Sequence, residues 1–243
     1  MTGVWTVQAA NHSKDTEQIL KFLLDEYSRI FGKNIMMNSP CIVYNDPYAQ
    51  CPMFIHSYPL RIRLSQQDLD LWFQTVFQLA HELCHYAIYQ IKPHKHSTLT
   101  WFEETLCDAM SLYGLYYAAN NWHKSPLAKK DSAYPNNFKR VLDYELGLPT
   151  SNRLSRCTTV NYLRMYEMQK LAEIQRESYR MERNFIYREM LGNPTEIRHI
   201  VNYQYYLDPN GVTLNFDRWL NDSPCRFIEA LKIIQPVKTR TLW

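Results

Sequence analysis

The chain has 243 residues, with 27 Lys+Arg against 24 Asp+Glu and a formal net charge of +3. With 46 % hydrophobic and 21 % charged residues it has the composition of a folded globular protein, which excludes disorder along most of its length. So small a net charge gives no electrostatic case for a nucleic-acid or membrane-surface partner.

Asp15–Phe31 reads as an amphipathic helix, because Ile19, Leu20, Leu23, Leu24, Tyr27, Ile30 and Phe31 share one stripe and Gly32 can end it. The period then changes. Ile35–Met37, Cys41–Tyr44, Met53–His56 and Leu60–Leu64 are short apolar or alternating runs, read as strands. In the last of these, Arg61 and Arg63 alternate with Leu60, Ile62 and Leu64, which predicts a half-exposed strand at a sheet edge. Ser65–Ile91 is predicted helical, capped by Ser65 or Asp68 and ended by Pro93. A second helix is expected from Thr100–Glu103 to about Ala119. The polar stretch Asn120–Pro135 is the candidate linker, and Asn136–Leu146 a short helix closed by Gly147 and Pro149. Thr158–Leu191 is periodic through Val160, Leu163, Leu171, Ile174, Met181 and Phe185, with a break expected; its interleaved Arg and Glu residues read as a solvated face. Pro194–Trp243 is mixed in pattern.

Six cysteines without a C-x-x-C pair read as reduced, mostly buried thiols. Met1–Ala10 lacks the basic and apolar regions of a secretion signal, and no run reaches the roughly 18 apolar residues of a membrane span, so a cytoplasmic protein is expected.

The chemistry concentrates in His81-Glu82-Leu83-Cys84-His85, an H-E-x-x-H inside a predicted helix. Residues four apart lie on one helix face, so two imidazoles can reach one ion, and zinc accepts such nitrogen ligands. Glu82 is rotated about 100° from His81 about the axis, which lets it miss the metal and reach a metal-bound water. The extended form with a third histidine is absent, because Ile91 stands in that place. The next helix begins Trp101-Phe102-Glu103-Glu104-Thr105-Leu106-Cys107-Asp108, with Asp108 one turn beyond Glu104.

Over Ala80–Ala109 this pattern resembles the gluzincin branch of the zincin metallopeptidases. The resemblance implies His81, His85 and Glu104 as ligands of one Zn2+ per chain, Glu82 as general base, and Asp108 as the carboxylate orienting a zinc-bound histidine. It implies a zincin-like α+β fold: a small mixed sheet with an edge strand packed on the H-E-x-x-H helix, in a catalytic region 1–120, then a mainly helical lobe 121–243. It further implies hydrolysis of a peptide or protein substrate, held along the strand Leu60–Leu64. A Tyr or His from the C-terminal part would stabilise the oxyanion, with Tyr162, Tyr166, Tyr179, His199 and Tyr203 as candidates.

Two choices stay open at this stage. Glu103 stands where the family often has Asn, and is the alternative third ligand. Cys84 and Cys107 each lie beside a proposed ligand; a thiolate ligand is the alternative to small core residues packing two helices. His94 and His96 are solvated loop residues or line the cleft. The competing functional readings are a non-cleaving binding or regulatory protein on a zincin scaffold, and a nucleic-acid module using the arginine-rich helix.

Overall fold

A computed structural model of the chain describes residues 4–8, 13–91, 99–150, 160–172 and 179–234. The fold is mixed α+β, with one small four-stranded mixed sheet. Two compact units are distinguished, Met1–Gln90 with Met110–Gly147 and Ile91–Ala109 with Leu148–Trp243. One of the boundaries between them falls within the helix Thr100–Asn121.

The first unit starts with β1 (Trp5–Val7), too short to show a period, then α1 (Ser13–Phe31). The residues expected as a strand at 35–37 instead form part of a one-turn helix, α2 (Lys33–Met36). Gly32 turns the chain with φ of +98°, and the Met36 carbonyl accepts the Trp5 indole N–H at 2.7 Å, which fixes the turn against β1. β2 (Cys41–Asn45), β3 (Met53–Ile55) and β4 (Leu60–Leu64) follow.

Strand order is β1-β2-β4-β3, with β1, β2 and β4 parallel and β3 antiparallel to β4. This corrects the position of Leu60–Leu64. It is an interior strand, with β2 on one side and β3 on the other, so its backbone has no free edge. Among the described residues the antiparallel edge of the sheet is β3. The alternation was real but reported faces, not edges: Leu60, Ile62 and Leu64 are buried, and Arg61 and Arg63 lie half-buried on the opposite face. There Arg61 sits between Ile42 and Ile55, and Arg63 between Tyr44 and Met53, where arginine stems cover apolar neighbours.

After β4 the chain does not enter a helix at Ser65; α3 spans Trp72–Ile91. The joint is clasped by side chains. Asn45 and Gln66 exchange two side chain-to-backbone hydrogen bonds of 2.9 and 3.0 Å. Gln78 accepts the Ser65 N–H at 2.9 Å, donates back to Ser65, and Thr75 donates to Gln66 at 3.0 Å. Asp68 accepts the Asp70 N–H in a turn, which competes with helix there. Core side chains come from the inner sheet face (Trp5, Cys41, Val43, Ile62), from α1 (Ile19, Leu23, Tyr27) and from α3 (Val76, Leu79, Leu83).

α4 spans Thr100–Asn121 and leads into 3-10 turns at Trp122–Lys124 and Pro126–Lys129, then α5 (Pro135–Gly147). The expected linker at 120–135 is packed structure. Trp122 and Leu127 are buried, and the Trp122 ring lies among Trp72, Tyr134 and Phe138 at centroid distances of 4.9–6.0 Å. Gly114 of α4 approaches α3 so closely that a Cβ there would lie 2.6 Å from the Ala80 Cβ.

The second unit holds the first turns of α4, then α6 (Val160–Ala172), α7 (Arg180–Gly192), a 3-10 segment Ile197–Tyr206, α8 (Phe216–Asp222) and α9 (Arg226–Leu231). The buried stripe of α7 is Arg183, Ile186, Tyr187 and Met190, while Met181 is exposed. Arg183 and Glu182 are buried, so the expected solvated face does not extend over them. Leu207 pairs with Leu214 across a turn at Gly211, where φ is +73°.

No helix among the described residues is long and apolar enough to cross a membrane. Cys41, Cys51, Cys84, Cys107 and Cys225 form no disulfide among the described residues. His94, His96, Arg153, Arg156, Cys157, Ile174 and Arg176 lie outside the described residues.

Candidate metal centre

α3 carries the H-E-x-x-H sequence in regular helix, and the segment is held at both ends. On the N-terminal side the Tyr27 hydroxyl of α1 donates to the Ala80 carbonyl at 2.6 Å. On the C-terminal side the Tyr86 ring lies against Trp5, with centroids 4.6 Å apart and planes tilted by 54°; its hydroxyl donates to the Ser39 carbonyl at 2.7 Å and accepts the Ser39 N–H at 3.1 Å. Burial pushes the Tyr86 hydroxyl up to about 12, so it remains a donor at neutral pH.

Between these anchors the Nε2 atoms of His81 and His85 come to 3.1 Å of each other, with ring centroids 4.9 Å apart and planes at 63°. Two nitrogens at about 2.0–2.1 Å from one tetrahedral ion are roughly 3.3 Å apart, so the pair is already near the spacing a shared zinc requires. His81 and Glu82 are 2 % exposed, and His85 is half-buried. A carboxylate buried that deeply is stable only when paired or set beside a cation.

The start of α4 carries the acidic residues singled out from the sequence. Glu104 is half-buried, whereas Cys107 and Asp108 are buried. All three sit on one stripe, since Cys107 and Asp108 lie three and four residues after Glu104. Glu103 is engaged elsewhere: its Oε2 accepts the Tyr203 hydroxyl and, at 3.4 Å, the Gln204 amide. Burial and the Glu103 charge hold the Tyr203 phenol far above its ordinary range, so the proton stays on the tyrosine. The helix start is also capped from α6. The Glu167 carboxylate accepts the backbone N–H groups of Thr100 at 2.6 Å and Trp101 at 3.1 Å.

Among the described residues, one group of three possible ligands gathers: a ring nitrogen from each of His81 and His85 and the Cys107 Sγ, within 4.8 Å of one another. Glu104 and Asp108 are not in that group. Two imidazoles with a thiolate make a borderline-soft donor set that suits zinc, and two imidazoles with a carboxylate make another. The grouped residues, two imidazoles and a thiol, therefore have the donor chemistry that zinc accepts.

Of the candidate oxyanion residues, Tyr203 is fully buried and committed to Glu103, Tyr166 and Tyr179 are buried, and Tyr162 is exposed on α6. His199 is half-buried, with its pKa lowered by burial and by Arg198. Sequence reasoning did not foresee that Tyr203 and Glu167 hold the start of α4. Their partners lie 100 and 66–67 residues away, and no local pattern marks them.

No family model matches the chain, and no curated protein and no solved structure matches it.

Proposed function

We propose that this protein is a zinc-dependent peptidase whose metal is held by His81, His85 and a third donor from the Glu104–Asp108 stripe of α4. The observation that carries the reading is the His81–His85 pair, with Nε2 atoms 3.1 Å apart beside a buried Glu82. Bound there, zinc would supply a water of lowered pKa, about 7, and polarise the scissile carbonyl.

The chain's own residues would do the rest. Glu82 takes the proton of the attacking water and returns it to the leaving amine. Asp108 fixes the tautomer and orientation of an imidazole ligand. β3, the antiparallel edge, offers unpaired backbone groups to an extended peptide, in place of the interior strand Leu60–Leu64. Glu104 is the proposed third ligand, because Asp108 then shares its face. Glu103 is the weaker choice, with Tyr203 already on its carboxylate.

The second reading of the third position, Cys107, is favoured by the grouping of its sulfur with the two histidines. Cobalt substitution separates them: a thiolate ligand gives an intense near-ultraviolet charge-transfer band, and a carboxylate does not.

The central test is metal analysis and peptide cleavage. Purified wild type is expected to hold one zinc per chain, and Glu82→Gln to keep the metal while losing cleavage by about 100-fold or more. Folded protein that takes up no zinc would sink the proposal. Zinc-loaded wild type that cleaves no member of a peptide library would replace it with a non-cleaving binding protein.

A further inference from the structure

We infer that Tyr203 is a positioning residue for this centre: by holding the Glu103 carboxylate it sets the rotation of the first turns of α4, and with it the direction of the neighbouring Glu104. The inference rests on the zinc reading with Glu104 as ligand.

The geometry is that of a helix start fixed in two independent ways. Glu167 fixes it along the axis, by accepting the N–H groups of Thr100 and Trp101 in the first turn. Hydrogen bonds along the axis do not resist rotation about it. Rotation is resisted by a side contact, and Glu103 provides one. It is 8 % exposed, its Oε2 takes the hydroxyl of the fully buried Tyr203, and the Tyr203 ring lies 5.3 Å from the Phe102 ring. Gln204 adds a longer contact, 3.4 Å to the same oxygen and 3.4 Å to the Tyr203 hydroxyl.

Glu103 and Glu104 are separated by about 100° around the axis, so fixing one fixes the other. A side chain ends about 5–6 Å from the axis, so a rotation of roughly 10° moves the Glu104 carboxylate by about 1 Å. A displacement of that size is enough to spoil a ligand position. Glu103, which stands where the gluzincin pattern often carries Asn, thus has a structural task of its own.

Tyr203→Phe keeps the ring against Phe102 and removes only the hydroxyl. In the full-length chain it is expected to weaken zinc binding by about 10–100-fold in a chelator competition, to alter the visible spectrum of the cobalt-loaded protein, and to lower kcat more than it changes KM. The double variant Tyr203→Phe/Glu103→Leu cuts the same link without stranding a buried charge, so it folds even where the single variant does not. It should show the same loss of zinc affinity. Wild-type zinc affinity and an unchanged cobalt spectrum in either folded variant would overturn the inference while leaving the peptidase reading intact. Wild type that binds no zinc would overturn both. Glu104→Ala with undiminished zinc affinity would remove the premise that Glu104 is a ligand, and the inference with it.

Discussion

Gly114→Ala sets helix propensity against packing, and the two make opposite predictions. Alanine is more favourable than glycine in a helix interior by about 1 kcal/mol, so propensity alone predicts a more stable protein. The structure predicts the reverse. The new methyl group would lie 2.6 Å from the Ala80 Cβ and 3.8 Å from Val76 atoms, all within the buried face of α3. Ordinary contact between such carbons is about 3.5–4.0 Å, so the helices must part by roughly 1 Å. Overpacking of this kind costs about 1–3 kcal/mol. The net expectation is a loss of up to about 2 kcal/mol, or up to roughly 8 °C in Tm for a chain of this size. Because Ala80 precedes His81 directly, zinc affinity should fall too. Urea unfolding measures the stability, and Ala80→Gly in the same background should restore part of it, since the clash needs both methyl groups. A Gly114→Ala protein as stable as wild type or more so would refute the reasoning.

Two further outcomes follow from buried groups. Glu167→Ala removes both acceptors at the start of α4 and should cost about 1–2 kcal/mol by chemical denaturation; a change below about 0.3 kcal/mol would show that water replaces the cap without loss. Burial pushes the Cys41 thiol and the Tyr86 hydroxyl up to about 12, above their values in an unfolded chain. Unfolding at alkaline pH therefore releases protons. The stability these groups contribute is fully present below about pH 9 and is lost as pH rises toward 12, by at most about 1.4 kcal/mol per pH unit for each group. Urea titrations between about pH 8 and 11 should show a shallower decline for Tyr86→Phe than for wild type, and identical slopes would count against the assignment.

What could be read in the sequence was whatever a local period records. The spacing of His81 and His85 places two rings on one face of any helix, and the structure brings their nitrogens together. The alternation of Leu60–Leu64 separated a buried from a half-buried face correctly. It could not say which strands lie alongside, because pairing with β2 and β3 is a property of the assembled sheet. The run at 35–37 is apolar with Met36 buried and its neighbours half-buried, and three residues are too few to tell a strand from one helical turn. The hold of Tyr203 on Glu103 spans 100 residues, and no local pattern marks it.

The clasp between Asn45 and Gln66 and between Ser65 and Gln78 separates chain continuity from position. Residues 67–71 bulge outside it, mostly exposed, while both flanks are tied to the sheet and to α3. A peptide inserted among those residues lengthens the bulge and leaves the histidines where they are. A nick there yields two fragments that hold together through the sheet and the clasp, so this is the place to open the chain for a permuted or split form of the protein.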